Sequence, residues 1–178
     1  MDFKNLIDER EFLGREALKD MMEKDLYPKS IIKFTNYNCP FDALILPGGE
    51  SPQSGVFNQK LILAEIKIRD RIFDEYFLEY KKCKSILKII EKSDYDKEKI
   101  DIIYINFLKT NTIIWTISDF IYTDMPYIIK EMNESTFLSR TNKIDKKVYL
   151  LNPEDGIQID YKLDKNYLIK KYESKLYD

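Results

Sequence analysis

"LAEIKIRD", residues 63–70, decides the reading of this chain. It has the make-up of a strand, and strand side chains alternate between faces. Leu63, Glu65 and Lys67 therefore share one face, and Ala64, Ile66 and Ile68 the other. An apolar strand thus sets an acid and a base side by side on one face. Upstream, "CPFDALILP", residues 39–47, reads as another strand bounded by Pro40 and Pro47. It carries one acid, Asp42, in an otherwise apolar run. Burying a lone carboxylate is costly unless it is paired or binds metal. If the two strands form a hairpin, Asp42 approaches Glu65. Two adjacent carboxylates raise each other's pKa, and a divalent cation removes that penalty. Oxygen ligands of this kind suit Mg²⁺, held by one or two carboxylates, waters and a substrate phosphate. Lys67, on the face of Glu65, could then orient or deprotonate an attacking water, or stabilise charge developing on a phosphate.

Outward from this pair, residues 3 to about 25 have helical spacing, with Gly14 a point where the helix could divide. Tyr27-Pro28 ends it. "SIIKFTN", 30–36, is a short strand, 57–69 is the strand that contains Glu65, and "GGESPQSG", 48–55, is a turn or loop. Residues 70 to about 92 read as one helix with Asp70 as N-cap and a stripe that includes Tyr76, Tyr80, Cys83, Ile86 and Ile90. Two strands follow within 100–118, joined near Lys109–Asn111 as a hairpin. Beyond them the pattern gives a strand remnant with a short helix, a late strand at "KKVYLLNP", and a helical tail. No repeat or linker interrupts the chain. The expectation is one domain over 1–178, with a core of about 3–120 and a C-terminal extension of about 121–178.

Composition narrows the chemistry. There is no histidine, which removes a histidine general base, a Ser-His-Asp triad and a histidine zinc site. The net charge is −2, so any nucleic-acid binding must come from a local patch helped by metal ions. The two cysteines, Cys39 and Cys83, form no CxxC and are expected to be reduced and structural. No apolar run is long enough to span a membrane. The start, "MDFKNLIDER", lacks the basic flank and apolar core of a signal peptide. The expected location is the cytoplasm of a bacterium or of an infected host cell, with no membrane partner.

The Pro40-Phe41-Asp42 run followed by Glu65-Ile66-Lys67 resembles the PD-(D/E)XK nuclease superfamily, the restriction-endonuclease-like fold. One residue separates Pro40 from Asp42, so the literal PD pair is absent. "FLGREALKDMM" offers Glu16 after Gly14, and this looks like the glutamate-bearing helix of Holliday-junction resolvases and phage nucleases; Glu9 and Glu11 compete for that role. The resemblance implies an α/β fold with a mixed central sheet flanked by helices, in the order helix-strand-strand-strand-helix-strand-strand. It implies that Asp42, Glu65 and the Ile66 backbone carbonyl hold Mg²⁺, for which Mn²⁺ would substitute, that Lys67 serves the water, and that Glu16 supports the metal. The implied activity is hydrolysis of DNA phosphodiester bonds, in phage or bacterial DNA processing, recombination or restriction. RNA is a less favoured substrate, and a homodimer or a larger partner protein is compatible with the acidic charge.

Plainer readings exist for each residue. Glu65 and Lys67 could form a same-face ion pair on a solvated sheet, worth under about 1 kcal/mol. Asp42 could cap the turn after Pro40, and Glu16 could be a solvated helix residue. Arg69, Arg71, Lys81 and Lys82 could meet phosphates or simply form a solvated face. Tyr76 and Tyr80 are better read as core, and Trp115 as core or interface. The alternative function is a structural or assembly protein that keeps the nuclease-like fold without catalysis.

Overall fold

The computed structural model describes residues 6–36, 39–48, 60–123, 125–133 and 142–174. The first helix, α1 (Leu6–Met21), runs unbroken through Gly14 and passes into a π-helical turn, Met22–Leu26. A Cβ on Gly14 would lie 3.0 Å from the Ile66 side chain. The glycine therefore lets α1 approach the sheet closely instead of dividing the helix.

Three strands follow, β1 (Ile31–Phe34), β2 (Ala43–Leu46) and β3 (Leu61–Ile68). They form an antiparallel meander, with Phe34 opposite Ala43 and Ala43 opposite Ala64. The hairpin between the Asp42 and Glu65 strands is therefore present. The loop expected over 48–55 lies, apart from Gly48, outside the described residues.

Residues 70–92 do not form one helix. Tyr76–Glu79 is a strand, β4, and the helix α2 spans only Tyr80–Glu91. The helical expectation failed because Tyr76, Phe77 and Tyr80 fit an apolar helix stripe as well as a strand. The deciding partner is remote in sequence: β4 pairs antiparallel with β8 (Lys143–Leu151), setting Leu78 opposite Tyr149. Tertiary pairing overrides local propensity here. Asp70 is no N-cap, since α2 begins at Tyr80 with Glu79 in the N-cap position; the Asp70 carboxylate instead accepts from Arg10 at 2.6 Å.

After α2 the chain enters β5 (Ile100–Phe107), which lies parallel to β3, and turns into β6 (Thr112–Thr116) as the expected hairpin. The remaining elements are α3 (Ser118–Tyr122), β7 (Ile128–Asn133), β8, β9 (Ile157–Ile159) and α4 (Lys165–Ser174). Among the described residues the main sheet has six strands in the order β1-β2-β3-β5-β6-β9, and a second sheet has the order β4-β8-β7. The architecture is α/β with a mixed sheet. One face buries α1, the π turn and α4 against Ala43, Ile45, Ile62, Ala64 and Ile105. The other buries α2, α3 and the second sheet against Leu63, Ile102, Tyr104 and Trp115. Trp115 and Tyr76 lie in this core, their rings 5.0 Å apart. No described helix is long and apolar enough to cross a membrane.

Gly14→Leu tests the close approach of α1 to β3. The leucine must displace Ile66 or the helix, so urea unfolding should show a loss of about 1–3 kcal/mol with secondary structure retained.

Candidate active site

The β2–β3 pairing ends where the chemistry begins. Asp42 directly precedes β2, and its N–H donates to the Ala64 carbonyl at 2.8 Å. Beyond that bond β3 continues without a β2 partner. The Ile66 N–H, left without a β2 carbonyl, donates instead to Asp42 Oδ2, at 2.7 Å. A strand residue sends its N–H and C=O toward the same edge, so the Ile66 carbonyl also faces the side of Asp42. The turn that delivers Asp42 is fixed by two bonds: Thr35 N–H donates to the Asp42 carbonyl at 2.9 Å, and Thr35 Oγ1 donates to the Phe41 carbonyl.

Glu65 lies behind Asp42 on the α2 face and is only 1 % exposed. Its Oε1 meets two ammonium groups, Lys67 Nζ at 2.6 Å and Lys82 Nζ from α2. Its Oε2 is buried with no hydrogen-bond partner. Burial works against the charge on Glu65, yet the two lysines outweigh it and hold the carboxyl below its usual range. Burial also opposes the charge on Lys67. Glu65, Tyr104 and Asp42 more than compensate, so its pKa lies above the usual lysine value. Beside Glu65, Lys67 is held as an ammonium donor. Asp42 is the contrasting group. Burial and the nearby Glu65 charge push its pKa up to about 6, against the opposing pull of Lys67 and the Ile66 N–H.

Asp42, Ile66, Lys67 and Arg69 open onto a cleft of about 260 Å³ between β3, the β1–β2 turn and α1. Helix α1 adds Arg10, Glu11, Gly14 and Arg15 to its wall. Arg15 pairs with Glu11 and donates to the Thr35 carbonyl at 3.1 Å. Arg69 extends across β5, where Nε donates to Asn106 Oδ1 at 3.0 Å and a terminal nitrogen donates to Tyr104 Oη at 3.2 Å. Asn106 is fully buried and its Nδ2 has no partner. Leaving such a donor unsatisfied costs about 1–3 kcal/mol.

The structure brings Asp42, Glu65 and Lys67 together, with Asp42 and Lys67 at the cleft and Glu65 behind them. Glu16 does not line the cleft; its carboxylate pairs with Lys19 at 2.5 Å. Glu11 occupies the position on α1 that faces the site. Arg71 and Lys81 are exposed and outside the cleft lining, and Arg71 lies 5.0 Å over the Phe73 ring. Lys82 serves Glu65, where sequence reasoning gave it only a phosphate or a solvated face. Tyr104, Asn106, Arg10 and Arg15 were not singled out from sequence. Asn106 had a signal available, a polar residue inside the apolar run "IDIIYINF". The α1 arginines had none, since charges on a helix face are ordinary.

Among the described residues no three carboxylate, thiol or imidazole side chains gather as a metal site. Asp42 and Glu65 lie near enough for the Glu65 charge to raise the Asp42 pKa, Glu65 Oε2 is orphaned, and Asp42 binds the N–H of Ile66, whose carbonyl faces the same edge. That donor set fits a hard cation completed by waters and substrate oxygens. Cys39 lines the cleft and Cys83 is buried; neither forms a disulfide, and burial pushes the Cys83 thiol up to about 12. No protein-family model matches the chain, and no curated protein sequence matches it.

Asp42 gives a signed prediction. Its folded pKa of about 6 exceeds the ordinary 3.8. Between those values the folded state binds more protons than the unfolded one, so this group makes stability fall as pH rises. Asp42→Asn removes that penalty and keeps an acceptor for the Ile66 N–H. Metal-free unfolding should show the variant more stable than the native protein above pH 6, by up to about 3 kcal/mol, with the gain vanishing below pH 4. A carboxylate that served only as a turn cap would give a loss or no change.

Proposed function

We propose that the protein is a Mg²⁺-dependent nuclease that hydrolyses DNA phosphodiester bonds, and that it resembles the PD-(D/E)XK enzymes in fold and site. One observation carries the reading. Two carboxylates, one at the entry to β2 and one on β3 with an orphaned buried oxygen, stand near a lysine at a cleft edged by arginines. The element order supports it as well. Helix α1, strands β1, β2 and β3, helix α2 and strands β5 and β6 follow the order that the resemblance implies, with β4 inserted before α2. The chain's own service would lie in phage or bacterial DNA processing, recombination or restriction.

Asp42, Glu65 Oε2 and the Ile66 carbonyl would hold the cation. When bound, it supplies positive charge to the reacting phosphate and its water nucleophile. The remaining work falls to the chain. Lys67 donates a hydrogen bond to the incoming water or to a phosphoryl oxygen, and its charge offsets the negative charge that builds there. Lys82 holds Glu65 ionised when Lys67 turns to the substrate. The arginines of α1 face the DNA backbone, and Glu11 holds Arg15 in place. Water adds to phosphorus, the bond to the 3′ oxygen breaks, and the products are a 3′-OH and a 5′-phosphate.

A second reading has its own observation. The pairing of Lys67 and Lys82 on Glu65 resembles a structural ion cluster, and a non-catalytic assembly protein would keep it for that purpose. One assay separates the two. Supercoiled plasmid, linear duplex, single strand, branched junction and RNA are each incubated with Mg²⁺, Mn²⁺ or EDTA. The nuclease reading expects cutting that needs metal and falls by about 10³-fold or more in Asp42→Asn and by about 10²-fold or more in Lys67→Ala. Folded native protein that cuts none of these substrates leaves the structural reading.

A further inference from the structure

We propose that Arg69 is a preorganised anchor for a phosphate oxyanion at the mouth of the cleft, with Asn106 and Tyr104 as its positioning residues. Four cationic side chains line the cleft: Arg10, Arg15, Lys67 and Arg69. Arg10 is paired with Asp70, Arg15 with Glu11 and Lys67 with Glu65. Among the described residues Arg69 has no carboxylate partner. It is held instead by two neutral oxygens, the Asn106 amide at 3.0 Å and the Tyr104 hydroxyl at 3.2 Å.

The distinction matters physically. A carboxylate would fix the guanidinium and cancel its charge. Neutral acceptors fix its direction and leave the full charge for a ligand. The planar fork keeps further N–H donors free to meet two oxygens of one phosphate. Parallel register gives the clamp its geometry, since Lys67 lies opposite Asn106 and Glu65 opposite Tyr104. The face that carries the catalytic pair therefore also carries the arginine's supports. The fully buried Asn106 strengthens the case. Its Nδ2 has no partner, a burden that an apolar side chain would not impose. What the asparagine provides in return is the oxygen on Arg69.

The inference rests on the nuclease reading for what carries the phosphate, a nucleic-acid backbone; the oxyanion site itself stands on the arginine clamp. The test is made in EDTA, so that no cleavage intervenes. Inorganic phosphate is titrated into the full chain while the Arg69 Nε–Hε resonance is followed by NMR. A fluorescent single-stranded oligodeoxynucleotide is titrated in parallel at several salt concentrations. The Arg69 resonance should shift and saturate in the native protein. Arg69→Gln should weaken oligonucleotide binding about tenfold and reduce the salt slope by about one. Arg69→Lys should restore the slope without the full affinity, because an ammonium cannot take the same two-point hold. Tyr104→Phe, which keeps the ring in the core, should weaken binding roughly threefold with Arg69 intact. An unmoved Arg69 resonance, or Arg69→Gln binding like the native protein, overturns the anchor. Arg69-dependent binding in a protein that cuts no substrate keeps the anchor and removes the nuclease. Metal-dependent cutting with an unchanged KM in Arg69→Gln does the reverse.

Discussion

A carboxylate at the centre of a buried sheet cannot stand alone, and Glu65 sets the terms for everything around it. It lies on β3, the strand that joins the antiparallel meander to the parallel partner β5. Lys67 reaches it from the same strand, and Lys82 reaches it from α2. The position of Lys82 depends on where α2 begins, and that depends on β4 pairing with β8. The second sheet is thus tied to the site through one ion pair. Asp42 completes the cluster from the residue just before β2, held by the Ile66 N–H at the point where the two strands part.

The two carboxylates are treated differently by their surroundings. Glu65 receives both ammonium groups and stays ionised, whereas Asp42 receives a backbone N–H and is pushed toward the neutral form. Metal-free, the cluster is unbalanced at Asp42, and the Glu65 Oε2 atom is left unsatisfied. Sites that bind and react commonly carry such local deficits, which a structural ion cluster would be expected to remove. The same pattern recurs at Asn106, where an unsatisfied donor accompanies an oxygen that steers Arg69. The far side of α1 shows the contrast. Buried Asp20 there has Lys171 at 2.6 Å, Lys24 at 3.1 Å, and hydroxyls of Tyr161 and Tyr167 within 3.2 Å. That carboxylate is fully served and ties α4 to α1, a role that is architectural.

Much of the frame was legible in the sequence for a simple reason. Acids inside apolar strands are conspicuous, so Asp42 and Glu65 stood out. Alternation along β3 put Glu65 and Lys67 on one face, and the hairpin brought Asp42 beside them. What escaped was set by distant partners. The strand Tyr76–Glu79 has a helix-compatible pattern, and only β8, some 70 positions on, makes it a strand. Glu16 and Glu11 differ by five positions on one helix, and spacing from Gly14 did not reveal which faces the cleft. Lys82 could not be placed before the start of α2 was known. The sequence marks Arg69 only as a basic residue; its clamp needs the parallel register of β3 and β5, which no local pattern encodes.

The proposed function requires that Asp42 and Glu65 together form a divalent-cation site. Crystals of the protein soaked in Mn²⁺ and measured at the manganese absorption edge test it directly. The expected result is one anomalous peak bounded by Asp42, the orphaned Glu65 oxygen and the Ile66 carbonyl, with Lys67 turned from Glu65 toward the cleft, and no peak there in Asp42→Asn. A map with no density at that place, and with Lys67 and Lys82 still on Glu65 at millimolar Mn²⁺, would contradict it.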